Sequence, residues 1–484
     1  MRNKLQLTIL VIALLFITAS SSGGTKPNIV LILADDWGWT DWEGGGSKFY
    51  ETPYINQLAS EGMQFTQAYA HPLCSPSRAA LMTGKYPGAR FGMFQAITGK
   101  SVLNPTVPEE CNESMPVCWP TTRNHMPLEE ITIAEELRAA GYLTLHFGKW
   151  HMGNRNFYPV KQGFDNQFAV GGAGPGRGGY FAPYEGLDNI EQGPDGEYIA
   201  ERLTSEVCKA LEEHKDTNFF IYLSHYNVHA PYQAKKDLQA YYQEKADKNP
   251  NNKQRHPAMG AMIHSLDSSV GQINEKIKFL GLEDNTIVIL VGDNGGIHWK
   301  NDKYLKDIPV TSNYPLRSGK ACFYEGGIRV PCMVKFPKHI QKGTKSKTPV
   351  HLIDFYPTLL DFAHVKPSAE KGIIDGKSIK PILLNQGEME DRPIFCHFPR
   401  KKQMELPSGG SYVRSGDYKL CLFYNYNGDG KRTTELFNIK YDIGEKADSS
   451  AFLTEIHDSL QVVLNNWLAE TGALIPKPNP NYHE

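Results

Sequence analysis

Four short apolar runs decide most of what this chain can fold into. Asn28 to Leu33, Leu143 to Phe147, Phe219 to Leu223 and Thr286 to Val291 are nearly continuous in apolar residues rather than alternating. That pattern belongs to strands covered on both faces, as in a parallel sheet between two layers of helices. Each run is followed at once by polar side chains: Asp35 and Asp36, then Lys149 and His151, then His225 and His229, then Asp293 and Asn294. A single strand ending in polar loop residues is ordinary. Four of them strain that explanation, because in open α/β sheets ligands collect outside the carboxyl ends of strands, where residues distant in sequence meet in one crevice.

Helical segments alternate with these strands. Thr132 and Glu135 form a capping box ahead of Leu137, and Gly141 stops that helix just before the second strand. Ile263, Leu266, Val270, Ile273, Ile277 and Leu280 recur at three- and four-residue steps and end at Gly281. The charged stretch from Gln233 to His256 reads as a solvated insertion. The glycines from Gly171 to Gly179 lack the ending of a phosphate-binding P-loop and read as a flexible loop. Beyond Pro381 the texture changes. Ser411 to Tyr424 and Glu435 to Tyr441 read as antiparallel strands, and Ala451 to Glu470 carries a helical pattern. The expected fold is therefore α/β: a large mixed, mostly parallel sheet sandwiched by helices over residues 25–381, and a smaller C-terminal α+β subdomain containing an antiparallel sheet over residues 382–484.

Arg2 and Lys4 precede an apolar run from Leu5 to Ala19 and then small residues, which is the order of a secretory signal peptide, taken as residues 1–19. The run is short for a membrane span and no cysteine follows it for lipid attachment, so an exported, periplasmic or secreted chain with no stable membrane anchor is expected. Of 484 residues, 51 are basic and 53 acidic, which leaves no basic footprint for nucleic acid. Eight cysteines are too few for a disulfide scaffold at this length; Cys111 with Cys118 is the pair to test first, and most of the others lie in apolar runs as core thiols.

Asp35, Asp36, Asp293 and Asn294 offer only hard oxygen ligands, which suit calcium or magnesium. Adjacent carboxylates repel strongly when desolvated, and a divalent cation removes that cost, although an acidic pair alone is as readily a cap or a turn. The segment Cys74-Ser75-Pro76-Ser77-Arg78 is more telling. Ser75 as N-cap with Pro76 at the first helical position starts a short helix that Gly84 ends, setting Cys74 beside free N–H groups that welcome an anion, with Arg78 and Lys85 adding charge.

Cys-x-Pro-x-Arg followed by Thr83-Gly84-Lys85 resembles the signature of the formylglycine-dependent sulfatases of the alkaline phosphatase superfamily. The resemblance runs from Pro27 to about Tyr441, through Ala-Asp-Asp-Trp-Gly at 34 to 38, Gly-Lys-Trp-His at 148 to 151, His-Ala-Pro at 229 to 231, Gly-Asp-Asn-Gly-Gly at 292 to 296, Lys320, Glu325-Gly-Gly-Ile-Arg-Val-Pro and Leu436-Phe-Asn. It implies that a maturation enzyme oxidises Cys74 to formylglycine (3-oxoalanine), whose hydrate is the nucleophile. It implies one calcium ion (Ca2+) held by Asp35, Asp36, Asp293, Asn294 and the hydrated residue 74. Arg78, Lys149 and Lys320 would neutralise the sulfate oxygens, His229 would protonate the departing sugar oxygen, and His151 would take a proton from the second hydroxyl to expel sulfate. His225 and His71 read as structural, and His298 as facing substrate.

Export and a hydrophilic crevice point to a sulfated carbohydrate as substrate. Three other readings remain open from the sequence: a phosphodiesterase or phosphonate hydrolase on the same fold, since both chemistries share in-line geometry and cation clamps; a glycan binder without catalysis; and a hydrolase using an unmodified Cys74 thiolate. Trp37, Trp39, Trp150 and Tyr180 fit sugar stacking or plain packing equally.

Overall fold

The computed structural model of the chain describes residues 26–97, 111, 113–299, 308–401, 406–425 and 427–483; the expected signal segment lies outside them. The apolar runs form strands, and their side chains sort alternately to two cores. In β1 (Asn28–Ala34), Val30, Ile32 and Ala34 enter one core while Ile29, Leu31 and Leu33 enter the other. Every residue of the strand is buried, as a two-sided sheet requires. The remaining strands of this sheet are β2 (Met63–Tyr69), β4 (Leu143–Lys149), β5 (Asn166–Gly171), β6 (Phe219–Ser224), β7 (Thr286–Gly292), β8 (Arg329–Lys335), β9 (Thr344–Ser346) and β10 (Val350–His351), while β3 (Val117–Cys118) lies outside it. Their order is β10-β2-β8-β7-β1-β6-β4-β5, with β9 also on β2. Only β8 runs against the others, pairing antiparallel with both β7 and β2. This is the mixed, mostly parallel sheet expected.

Helices Ile199–Glu213 and Pro257–Phe279 cover one face, and Ile133–Ala139 and Phe355–Phe362 the other. The capping box at Thr132 and Glu135 is present, with both reciprocal hydrogen bonds. Ile263, Leu266, Val270, Ile273 and Ile277 are all buried along one stripe of the long helix. The stretch from Gln233 to His256 is not plain insertion: it contains a helix, Lys236–Lys248, whose outer face is exposed while Tyr242 docks on Phe49.

A second sheet of β11 (Ile394–Phe398), β12 (Gly410–Ser415), β13 (Tyr418–Phe423) and β14 (Thr433–Asn438) is wholly antiparallel. The helix Thr454–Glu470 lies on it, with Trp467 stacked on Phe395 at 4.5 Å, a contact contributing roughly 0.5–1.5 kcal/mol beyond burial. β15 (Lys477–Pro478) pairs with β3. Cys111 and Cys118 are joined in a disulfide; Cys322, Cys332, Cys396 and Cys421 are buried thiols. Among the described residues no helix is long and apolar enough to cross a membrane.

Candidate active site

The parallel ladder runs past the ends of β1, β6 and β7 and holds the acidic residues in place. Asp35 N–H donates to Asn227 O at 2.8 Å, Val228 N–H to Asp35 O at 2.6 Å, and Asp293 N–H to Ala34 O at 3.0 Å. Asp36 then turns at φ +59°, a left-handed conformation that a non-glycine residue adopts at a cost and that concentrates at functional sites. Its N–H donates to Asp293 Oδ1 at 3.0 Å, and Asn294 Nδ2 donates to Asp36 Oδ1 at 2.8 Å. Asp35, Asp36, Asp293 and Asn294 thus converge from two adjacent strand ends, each 1% exposed or less.

Three cations interleave with the three carboxylates. Lys149, at the end of β4, reaches Asp35 Oδ2 at 2.5 Å, and Lys320 reaches Asp36 at 2.6 Å. Arg78, with no exposed surface, grips Asp293 Oδ2 through Nε at 3.2 Å and Nη2 at 2.8 Å, and its Nη1 bonds Lys149 O and Ser224 Oγ. Burial raises Asp35 in spite of Lys149 and Arg78. Burial, aided by the charge of Asp35, also lifts Asp293 to about 6. Burial acts in the same sense on Asp36, but Lys320, His229 and Lys149 together hold it well below the usual carboxylate range.

Cys74 stands in the middle of this cluster. It is the first residue of the helix Cys74–Thr83, which differs from the start expected at Ser75. The Ser75 hydroxyl is engaged instead as acceptor for Ile97 N–H at 3.0 Å, so no side chain caps the helix, and the positive end of its dipole falls on Cys74 itself. Gly84 closes the helix at φ +66° as expected. Cys74 Sγ lies 3.2 Å from His151 Nδ1, and His151 Nε2 is 2.8 Å from Ile97 O. His151, at φ +54°, is pushed down to about 3 by burial and the charge of Lys149, so its ring is neutral. His229 is partly exposed, with Nε2 3.7 Å from Asp36 Oδ2; burial, with Lys149 and Lys320, holds it well below its usual value.

The donor set matches a hard cation. One ligand atom each from Asp35, Cys74 and Asp293 lies within 4.8 Å of the others, and Asp35 Oδ1 and Asn294 Oδ1 are buried without a hydrogen-bond partner. Buried oxygens are normally satisfied, so two unpartnered ones facing one acidic cluster fit a set of groups that could hold a hard cation.

The family model for sulfatases matches residues 27–365 of this chain. The chain belongs to the sulfatase family. Residues 318–471 of this sulfatase further match the model for the C-terminal part of N-sulphoglucosamine sulphohydrolase. A sulfatase of Formosa agariphila is 31% identical, the match covering 87% of this chain and 84% of that protein. The N-acetylgalactosamine-6-sulfatase of mouse is 33% identical over 77% of this chain and 68% of that one. Among solved structures, that of Ps i-CgsB superposes with a TM-score of 0.73 at 30% identity, covering 92% and 93% of the two chains. The protein is a sulfuric ester hydrolase on an alkaline phosphatase-like fold.

Not every residue singled out in the sequence of this sulfatase joins the cluster. Lys85 follows the far end of the Cys74 helix and pairs with Glu130 at 2.7 Å. His298 lines a neighbouring cleft. His225 bonds Ser269, and His71 packs against Tyr86 and His351, so both are structural as read. Trp37, Trp150 and Tyr180 are fully buried and pack rather than offer open stacking faces, whereas Trp39 is partly exposed with Arg329 over its ring. Sequence reading missed Ser224, Asn227 and the Ile97 carbonyl. Ser224 ends a strand beside His225 and was within reach of the same strand-end rule; Ile97 touches the site through a carbonyl, for which its side chain gives no signal.

Proposed function

We propose that this sulfatase hydrolyses a sulfate ester of a sulfated glycan, with Cys74 in its formylglycine form and one calcium ion held by Asp35, Asp36, Asp293 and Asn294. What carries the reading is Cys74 Sγ 3.2 Å from a neutral His151 inside a ring of three carboxylates and three cations. The names of the relatives support the substrate class: the mouse enzyme is named for a sulfated N-acetylgalactosamine, and Ps i-CgsB is also solved in complex with k-i-k-neocarrahexaose. The apolar leader supports an exported, periplasmic or secreted enzyme.

Cys74 is 1% exposed, so a formylglycine-generating maturation enzyme would reach it before this crevice closes. When bound, the ion supplies a positive field that favours ionisation of the nucleophile and orients the ester. Arg78, gripped by Asp293 and Asp35, is fixed where it neutralises charge at residue 74. Asp35, Asp36, Asp293 and Asn294 would hold that ion, and Lys149 and Lys320, which pair with Asp35 and Asp36, would be the cations that meet sulfate oxygens. An anionic ester seated between them offsets the two charges that depress His229, which can then carry the proton it gives to the leaving sugar oxygen. His151, neutral and already at residue 74, accepts the proton whose removal ejects sulfate. Each transfer contributes typically 10²- to 10⁴-fold.

The test is sulfate release from defined sulfated oligosaccharides, run beside an aryl sulfate and an aryl phosphate diester. Faster turnover of sulfate esters is expected. Faster cleavage of the diester would move the protein to the phosphodiester side of the fold.

A further inference from the structure

Next to the acidic cluster lies a cleft of about 410 Å³, and part of its wall comes from the charged stretch that reads as a solvated insertion. Residues 250–255 connect the helices Lys236–Lys248 and Pro257–Phe279, and they are pinned to the centre by one side chain. Gln254, 7% exposed, donates to Thr40 O at 3.1 Å, Asp41 Oδ1 at 3.0 Å and Ser312 O at 3.2 Å. Thr40 and Asp41 belong to the loop that leaves Asp36, so Lys253 and Arg255, on either side of the anchor, are held at a set place relative to the reacting groups.

The opposite wall has the same tie. Asn313 Nδ2 donates to Gly296 O at 2.9 Å and Ser318 O at 3.0 Å, and Lys320 N–H donates to that same Gly296 O. A Cβ on Gly38, two residues beyond Asp36, would sit 2.5 Å from Asn313 Oδ1. The cleft therefore shares its walls with the loops carrying Asp36 and Lys320.

Its chemistry is that of a charged sugar site. Among the described residues the lining includes no acidic side chain. Neither Lys253 nor Arg255 pairs with a carboxylate among the described residues. Lys253 Nζ sits 3.9 Å from the centroid of the Tyr314 ring, which is 61% exposed. That contact keeps a cation in place without neutralising it, and the amides of Asn251, Asn252 and Asn313 suit sugar hydroxyls.

We propose that the cleft lined by Asn251, Asn252, Lys253, Arg255, Asn313 and Tyr314 binds a second anionic sugar of the same glycan, one bearing a sulfate or carboxylate, beside the ester under attack. The assignment rests on the sulfatase reading and narrows it to polyanionic glycans. Cations of this kind act mainly on capture and its salt dependence.

The test compares the wild type with Lys253→Ala/Arg255→Ala and with the single Lys253→Glu. The substrates are an aryl sulfate, a monosulfated disaccharide, the same disaccharide with a second sulfate on the adjoining sugar, and a version with a carboxylate there. The wild type should favour a doubly anionic substrate by about tenfold in kcat/KM, the size expected of two solvent-facing ion pairs. Both variants should lose that preference through KM and keep aryl sulfate turnover within about twofold. Preference for the sulfate arm, the carboxylate arm or both identifies the anion. A wild type that cleaves the monosulfated and doubly anionic substrates equally well overturns the proposal, as does a variant that keeps the preference or loses aryl sulfate turnover in step. Sulfate release from none of the four would instead defeat the sulfatase reading itself.

Discussion

Two clusters of buried charge lie on either side of the segment Glu325–Ile328, and they differ in what is left over. At the catalytic strand ends, Asp35 Oδ1 and Asn294 Oδ1 have no hydrogen-bond partner. Where the two sheets meet, Glu325, Lys419 and Glu445 are as deeply buried, yet their valences are filled. Lys419 Nζ bonds Glu325 Oε1 at 3.2 Å and Glu445 Oε1 at 2.9 Å. Tyr69 OH donates to Glu325 Oε2, and Glu325 N–H to Glu445 Oε2. The second cluster also supports the first, since Gly295 N–H, next to Asn294, donates to Gly327 O at 2.9 Å. What separates the two clusters is that carboxylate and amide oxygens lack partners in the first, whereas those of Glu325 and Glu445 are bonded.

Removing one group from each cluster separates them. Cys74→Ala should abolish sulfate release, by about 10⁴-fold or more, as loss of a nucleophile does, while thermal unfolding moves little. Lys419→Met should do the reverse: two carboxylates left buried without their cation destabilise by about 3–5 kcal/mol, read as a fall in the denaturant midpoint, with the folded fraction still active. If Cys74→Ala unfolds the protein, or Lys419→Met costs nothing, the contrast fails.

Calcium gives the next largest effect. At a hundredfold excess over its Kd it should stabilise the wild type by about 2.7 kcal/mol, and Asp293→Asn should remove the response. Equal stabilisation of the variant would place the ion elsewhere.

The pH dependence of stability tests the loop that leaves Asp36. Asp41 is lifted to about 7 by burial, against hydrogen bonds from Thr311, Gly38 and Gln254. A carboxyl raised in the folded state binds more protons there than in the unfolded chain, so its contribution falls as pH rises from about 4 to about 7 and is flat above. Asp41→Asn should flatten that part of the stability curve; an unchanged slope would put the proton elsewhere.

The large sheet was legible because two-sided burial writes itself as apolar runs, and β1, β4, β6 and β7 fall where those runs lie. The cluster was legible for the same reason: strand ends fix where Asp35, Lys149 and Asp293 must be. What escaped depends on tertiary partners. Ser75 has the chemistry of an N-cap but spends its hydroxyl on Ile97. Gln254 looks like one more polar residue in a charged stretch until Thr40 and Ser312 surround it. Lys85 carries the right charge for the site, yet Cys74–Thr83 spans ten residues, so a rise of about 1.5 Å per residue carries Lys85 to the wrong end.

Mass spectrometry of the peptide containing residue 74, taken from fully active protein, addresses the central claim most directly. The account predicts an aldehyde or its hydrate at that position in a fraction that scales with specific activity. Full activity with an intact thiol at residue 74 would contradict it.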